Sequence, residues 1–170
     1  MLDLIASAPR RRGFSFVGIG GRGGSGKSTL AARIPGAQVV GTDEFWNGES
    51  FALSRLRAEV FDPLLLEREA RYAAWDWDAK RPGGERAIVP AGVVVVEGVC
   101  ALHAMFRGDY DVRVWVEAPY ETRLARGIAR DGEAARGTWV EQWMPMEDRY
   151  VERDDPVSCA HLVVDGEAGF

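Results

Sequence analysis

Apolar residues along this chain fall into short unbroken runs, separated by stretches in which they recur every three or four positions. The runs Phe14–Gly20, Ala37–Val40, Val93–Glu97, Val112–Val116 and His161–Val164 predict five strands. Helical spacing predicts helices over Lys27–Arg33, Leu53–Phe61, Leu64–Tyr72, Ala101–Phe106 and Pro119–Arg130. A last long helix is expected to begin near Thr138, where Thr138 and Glu141 fit a capping box and Trp139, Trp143, Met146 and Tyr150 share a face. Pro145 should kink or interrupt it. Strands that are apolar throughout, rather than alternately, are buried on both faces. Separated by helices, they predict a three-layer α/β domain around a mostly parallel five-stranded sheet, with its ligand at the C-terminal edge of the strands.

Chemistry enters at that edge. Gly21-Arg22-Gly23-Gly24-Ser25-Gly26-Lys27-Ser28 fits G-x-x-x-x-G-K-[ST] between the first predicted strand and a predicted helix. Glycines allow a nest of inward-pointing N–H groups, and the helix N-terminus adds partial positive charge. The pattern predicts that Gly21, Gly23, Gly24, Ser25, Gly26, Lys27, Ser28 and Thr29 hold the phosphates of ATP. Lys27 would reach the β- and γ-phosphates, and the Ser28 hydroxyl would ligate Mg²⁺. The domain is thus expected to be an α/β/α P-loop NTPase spanning 1–170. Only two lysines, Lys27 and Lys80, stand against nineteen arginines. Genomic base composition accounts for the arginines, but not for the lysine kept where a compact ammonium on a flexible stem is wanted.

Two acids sit at predicted strand ends on the same rim. Glu97 closes Val93–Val96 and could hold Mg²⁺ or its water shell, or be a solvated carboxylate. Asp43 follows Val39-Val40; it could hold the metal or accept a proton from an attacking hydroxyl, or cap a turn. Arg123, Arg126 and Arg130 fall within a sector of roughly 60° on one helix, with Tyr120, Leu124 and Ile128 elsewhere around it. The apolar face is expected to pack and the arginine face to be free, either to neutralise a transferring phosphoryl group or as ordinary solvated surface. Gly127 weakens this helix, Asp131-Gly132 ends it, and Glu133 to Gly137 is small and polar. Together they predict a mobile lid around 119–137.

Composition narrows the class. With 170 residues, 46% of them hydrophobic, the chain can build the core of one domain. A net charge of −5 argues against non-specific nucleic-acid binding as the main role. No apolar run reaches the length of a membrane span. Arg10-Arg11-Arg12 follow a short apolar stretch, the reverse of a secretory signal, so 1–12 reads as a surface lead-in. Cys100 and Cys159 read as reduced thiols of a cytoplasmic protein. The expected partner is a small-molecule phosphate acceptor, with no nucleic acid and no membrane; homo-oligomerisation stays open. A GTPase of the common kind needs Asn-Lys-x-Asp, and Asn47 is the sole asparagine.

These residues resemble the uridine kinase and phosphoribulokinase group of P-loop kinases, especially short bacterial uridine-kinase-like proteins. The resemblance runs from about Phe14 to Gly166. It rests on the glycine loop, Thr42-Asp43-Glu44-Phe45-Trp46, Val-Val-Glu97-Gly, Arg123-Leu-Ala-Arg126 with Arg130-Asp131, Asp148-Arg-Tyr and Val-Val-Asp-Gly. It implies that Asp43 is the catalytic aspartate, Glu97 a second metal-coordinating acid, and Arg123, Arg126 and Arg130 lid arginines. The implied activity is transfer of the γ-phosphate of Mg-ATP to a hydroxyl of a nucleoside-like molecule; the alternative is a regulatory ATPase without a small acceptor. The acceptor side departs from the family. Trp75-Asp76-Trp77-Asp78-Ala79-Lys80 replaces Tyr-Asp-Phe-x-x-His, and the ribose-binding His-Pro-x-x-Phe-Asp segment is missing. Candidate acceptor contacts are Asp43, Trp75, Asp76, Trp77 and Lys80. Lys80 either favours an acidic or phosphorylated acceptor or points into water.

Overall fold

The computed structural model describes residues 1–168. Its main sheet contains β1 (Ser15–Gly20), β2 (Ala37–Gly41), β5 (Val93–Gly98), β6 (Val112–Glu117) and β7 (Leu162–Asp165), in the order β2-β5-β1-β6-β7. Every neighbouring pair is parallel. The registers bring Gly20 beside Gly98 and Trp115, and Gly41 beside Glu97, so the C-terminal ends of four strands form one rim. Both faces are buried, as unbroken apolar strands require. Val17, Ile19, Val95 and Val114 pack with Ile5 of α1 (Leu2–Ser7) and Leu30 of α2 (Lys27–Ala31). Phe16, Val94, Val96 and Trp115 meet the larger cluster on the other face.

That larger cluster is roofed by α3, a helical run of Leu53–Leu56, a wide π-type turn Arg57–Phe61 and Asp62–Leu65, which contributes Leu56, Val60, Phe61 and Leu64. The helix predicted over Leu64–Tyr72 stops at Leu65, and Glu67 adopts φ +53 just beyond it. From there the chain forms an antiparallel hairpin, β3 (Ala70–Asp76) and β4 (Arg81–Ile88), with a bulge between Ala73 and Trp75. Its alternation is short, Ala70 and Tyr72 inward against Arg71 outward. Its second strand is exposed over Arg81–Ala87 and carries a proline and two glycines, residues that strands usually avoid. Ala101–Phe106 is a series of turns rather than a helix, closed by His103 N–H to Cys100 O at 3.0 Å and Phe106 N–H to His103 O at 2.8 Å.

After β6 comes α4 (Tyr120–Asp131), then a short turn, Glu133–Ala135, and the run α5 of Arg136–Thr138, Trp139–Trp143 and Met144–Asp154. Thr138 lies within this run and makes no capping bond. The interruption expected at Pro145 takes the form of the π-type turn Trp139–Trp143, which widens the helix where a proline removes a backbone donor. Leu124, Trp139 and Met144 form a small third cluster between α4 and α5. Gly127 belongs to that packing: a Cβ there would lie 2.5 Å from the Trp139 ring, so the glycine admits an indole rather than only loosening the helix. Residues 1–12 are more than a lead-in, since α1 buries Ile5 in the core and Arg11 bonds Asp111 Oδ1 at 3.1 Å.

Candidate active site

β1 hands the chain directly to the glycine loop. Gly24 takes φ +74, and a Cβ there would lie 2.9 Å from Arg123 Cα, so loop and α4 pack backbone to backbone. Lys27, the first residue of α2, is only 8% exposed, and its Nζ donates to Arg22 O at 2.9 Å. Burial lowers its pKa, while the negative fields of Glu97, Glu147 and Asp43 pull it back up. Ser28 and Thr29 are exposed. Ser25 is fully buried, its Oγ without a hydrogen-bond partner among the described residues.

The acids of the rim converge on this lysine. Ser28 Oγ donates to Glu97 Oε1 at 2.8 Å. Burial raises the Glu97 pKa, and Lys27 and the Ser28 bond oppose the rise. Gly98 takes φ +143, and a Cβ there would collide with Thr42 Oγ1. The absent side chain lets the turn Thr42–Phe45 close over the end of β5 and carry Asp43 to where its charge acts on both Lys27 and Glu97. Hard oxygen donors from Ser28, Glu97 and Asp43 fit Mg²⁺, which is held by one or two carboxylates and completed by phosphate oxygens. Among the described residues no group of three or more His, Cys, Asp or Glu side chains gathers as a metal site by itself.

The three arginines differ from one another. Arg123 is 4% exposed; its Nε donates to Ala118 O at 3.2 Å and its guanidinium lies 3.4 Å from Glu147 Oε2. The expected free face is therefore covered at this position, because α5 folds back over α4. Arg126 donates to Gly24 O at 3.3 Å and to Gly166 O at 3.0 Å. Arg130 is exposed, paired with Asp131 at 2.7 Å and 5.8 Å from the Trp139 ring centroid. Two further residues complete the surroundings, Glu147 without a signature in the sequence and Asp148 from the Asp148-Arg-Tyr motif: Glu147 accepts from Gly23 N–H at 3.0 Å, and Asp148 from Arg22 Nε at 2.8 Å. Well over a hundred positions separate each pair, so only the fold reveals them.

On the acceptor side, a cavity of about 690 Å³ lies between the hairpin and the segment that follows Asp43. Trp46, Tyr72 and Trp75 line it, with Arg55 and Arg71. Its cations are internally matched: Arg55 pairs with Glu59 at 2.9 Å, and Arg71 with Glu85 at 2.7 Å. Tyr72 donates to Glu44 at 2.5 Å, and Arg86 pairs with the same carboxylate. Trp77 is 49% exposed and stacks on Trp46 with ring centroids 5.9 Å apart. Asp76 and Lys80 lie at the hairpin turn. Asp76 Oδ1 accepts from the N–H groups of Asp78 and Ala79, and Lys80 takes φ +51 and is exposed. Of the acceptor-side candidates, Trp75 lines the cavity, while Asp76 and Lys80 shape the turn.

A glycine-rich loop after the first strand, a lysine and serine opening the helix, and an acid ending the adjacent strand define a P-loop fold. No family model matches the chain. In sequence it is similar to the uridine kinase of Saccharomyces cerevisiae, 27% identical over 158 aligned residues that cover 68% of this chain and 28% of the yeast protein. It is also similar to the uridine kinase of Alkaliphilus metalliredigens, 26% identical over 142 residues, 69% of this chain and 68% of that one. The chain thus spans well under half the length of the yeast relative. In structure it resembles a possible uridine kinase from Bacillus stearothermophilus, with a TM-score of 0.73 at 18% identity over 96% of this chain and 95% of the other. A candidate fructose transport system kinase from Silicibacter sp. TM1040 superposes with a TM-score of 0.59 at 19% identity, covering 92% of each chain. In sequence the chain is thus similar to proteins named uridine kinase, and its fold is that of a P-loop kinase.

Proposed function

We propose that this protein transfers the γ-phosphate of Mg-ATP to a hydroxyl of a small neutral molecule carrying a ring. The observation that carries the reading is the convergence of Lys27, Ser28, Glu97 and Asp43 on one rim, with an aromatic-walled cavity opening beside the Asp43 turn. The loop N–H groups and Lys27 would hold the phosphates, and Ser28, Glu97 and Asp43 would hold the metal. Bound Mg²⁺ would supply neutralisation of phosphate charge. Asp43 takes the proton of the acceptor hydroxyl and so makes its oxygen a better nucleophile. Arg130, exposed at the end of α4, would balance charge that develops on the phosphoryl oxygens when 119–137 closes as a lid.

The class of acceptor follows from the cavity walls. Because Arg55 and Arg71 already face carboxylates, an acidic acceptor would meet no spare positive charge there. Trp46 and Trp75 present flat apolar surface on which a ring can stack. Lys80, the residue that could have favoured a phosphorylated acceptor, is exposed at the hairpin turn and does not line the cavity. ADP release should be measured with a panel of neutral nucleosides, sugars and vitamins against their phosphorylated forms. Stimulation by neutral ring-bearing members is expected. Slow hydrolysis that no acceptor accelerates would overturn the transfer reading in favour of a regulatory ATPase.

A further inference from the structure

Glu147 has no place in the transfer chemistry described above, yet it is 4% exposed and sits on the phosphate loop. Its Oε1 accepts from Gly23 N–H at 3.0 Å, and its Oε2 faces Arg123 at 3.4 Å. A Cβ on Gly23 would lie 2.7 Å from that Oε1, so the loop is glycine at the point where the carboxylate rests. The positive fields of Lys27, Arg123 and Arg22 all act on it. Asp148, the next residue of α5, grips Arg22 from the outside at 2.8 Å.

We infer that Glu147 is an internal competitor for the phosphate loop, a buried carboxylate that nucleotide phosphates must outbid for the charge of Lys27 and Arg123. This rests on the phosphate-binding reading of the loop. A phosphate chain carries several negative charges, and a carboxylate held in the same walls repels them with little screening by solvent or salt. The same carboxylate accepts from one backbone donor and faces a buried cation, contacts that fix where it rests. Removing the charge should strengthen the hold on nucleotide, whereas loss of a purely structural residue would weaken it. The residue also joins α5 to the loop, so phosphates that displace it should loosen the helix that carries it.

Glu147→Gln tests this, since it keeps an acceptor oxygen for Gly23 N–H and loses the charge. Binding of MgATP, MgADP and adenosine should be measured by calorimetry for the unmodified protein and the variant, with melting temperatures in the absence of nucleotide. The expected result is a variant that stays folded and binds MgATP about tenfold tighter, MgADP less so, and adenosine unchanged. MgATP bound equally or more weakly by a folded Glu147→Gln would overturn the role of Glu147 alone. Failure of the unmodified protein to bind MgATP would overturn the phosphate-site reading and this inference with it. If Glu147→Gln does not fold, hydrogen exchange on the unmodified protein decides. Exchange over Met144–Asp154 should quicken when MgATP binds, and slower or unchanged exchange would overturn the inference.

Discussion

Ser28 Oγ donates a 2.8 Å hydrogen bond to Glu97 Oε1, tying the first turn of α2 to the end of β5. Two oxygens of the proposed metal site are therefore already neighbours, held by backbone elements that differ by 69 positions in sequence. Glu97→Gln keeps the bond but halves the charge of the donor set. The Mg²⁺ concentration needed for half-maximal turnover should rise about tenfold or more. A titration of Mg²⁺ at fixed ATP measures it, and an unchanged midpoint would leave Glu97 as no more than a partner for Ser28.

Asp43 separates binding from chemistry. Asp43→Asn preserves shape and hydrogen bonding but cannot take a proton, so turnover should fall by about 10²-fold or more. Affinity for ATP, measured by calorimetry, is expected to change little. Equal rates would make Asp43 a turn residue alone.

Lys27 governs nucleotide binding. With ATP and Mg²⁺ at a hundredfold excess over Kd, the melting temperature should rise by roughly 5–10 °C. Lys27→Ala should abolish most of that rise. Relief of a buried ammonium also means that the variant's own melting temperature need not fall, which separates loss of binding from loss of fold.

The arginines of α4 divide into two kinds of outcome. Arg123→Ala strips the partner from buried Glu147 and is expected to cost about 3 kcal/mol or more in chemical denaturation. Arg130→Lys keeps the charge at an exposed site, so stability should hold. Loss of the planar fork should still lower phosphoryl transfer by ~10²-fold. Wild-type turnover in Arg130→Lys would make that end of the helix ordinary surface.

Acid should weaken the fold through its two histidines. Burial lowers the pKa of His103 below 6.5 against the pull of Asp154, and burial with Arg113 lowers that of His161. A folded pKa below the unfolded one means that the unfolded chain binds more protons between the two values, so stability rises with pH through that window. Glu97 and Glu147, raised by burial, act in the opposite sense: they favour the folded state as pH falls from their folded pKa values toward 4.5. Over about pH 5 to 7 the denaturation midpoint should therefore rise less steeply with pH, or fall more steeply, for His103→Gln than for the unmodified protein. Identical slopes would show that His103 does not titrate in the window.

The main sheet was legible because unbroken apolar runs have few other solutions, and the loop because its chemistry needs particular residues at fixed spacing. The hairpin was not, for a physical reason. Leu64-Leu65-Leu66 and Tyr72 fit helical spacing as well as anything, and the outer strand is held by its partner and its turn rather than by apolar side chains. The arginine face misled for a related reason. A helical wheel knows its own axis but not the segment that later folds over it, and Trp139 and Glu147 both arrive from α5. The same distance in sequence hid the Gly23–Glu147 contact.

The hairpin shares no strand hydrogen bond with the main sheet. Its outward residues, among them Arg71, Trp75 and Glu85, can therefore be exchanged without disturbing the ladder that positions the glycine loop. On the proposed reading, what the protein acts on and how it acts are carried by separable pieces of chain. Inheritance can then redraw the first while conserving the second, and a library confined to one face of the hairpin could redirect the protein without relearning phosphate chemistry.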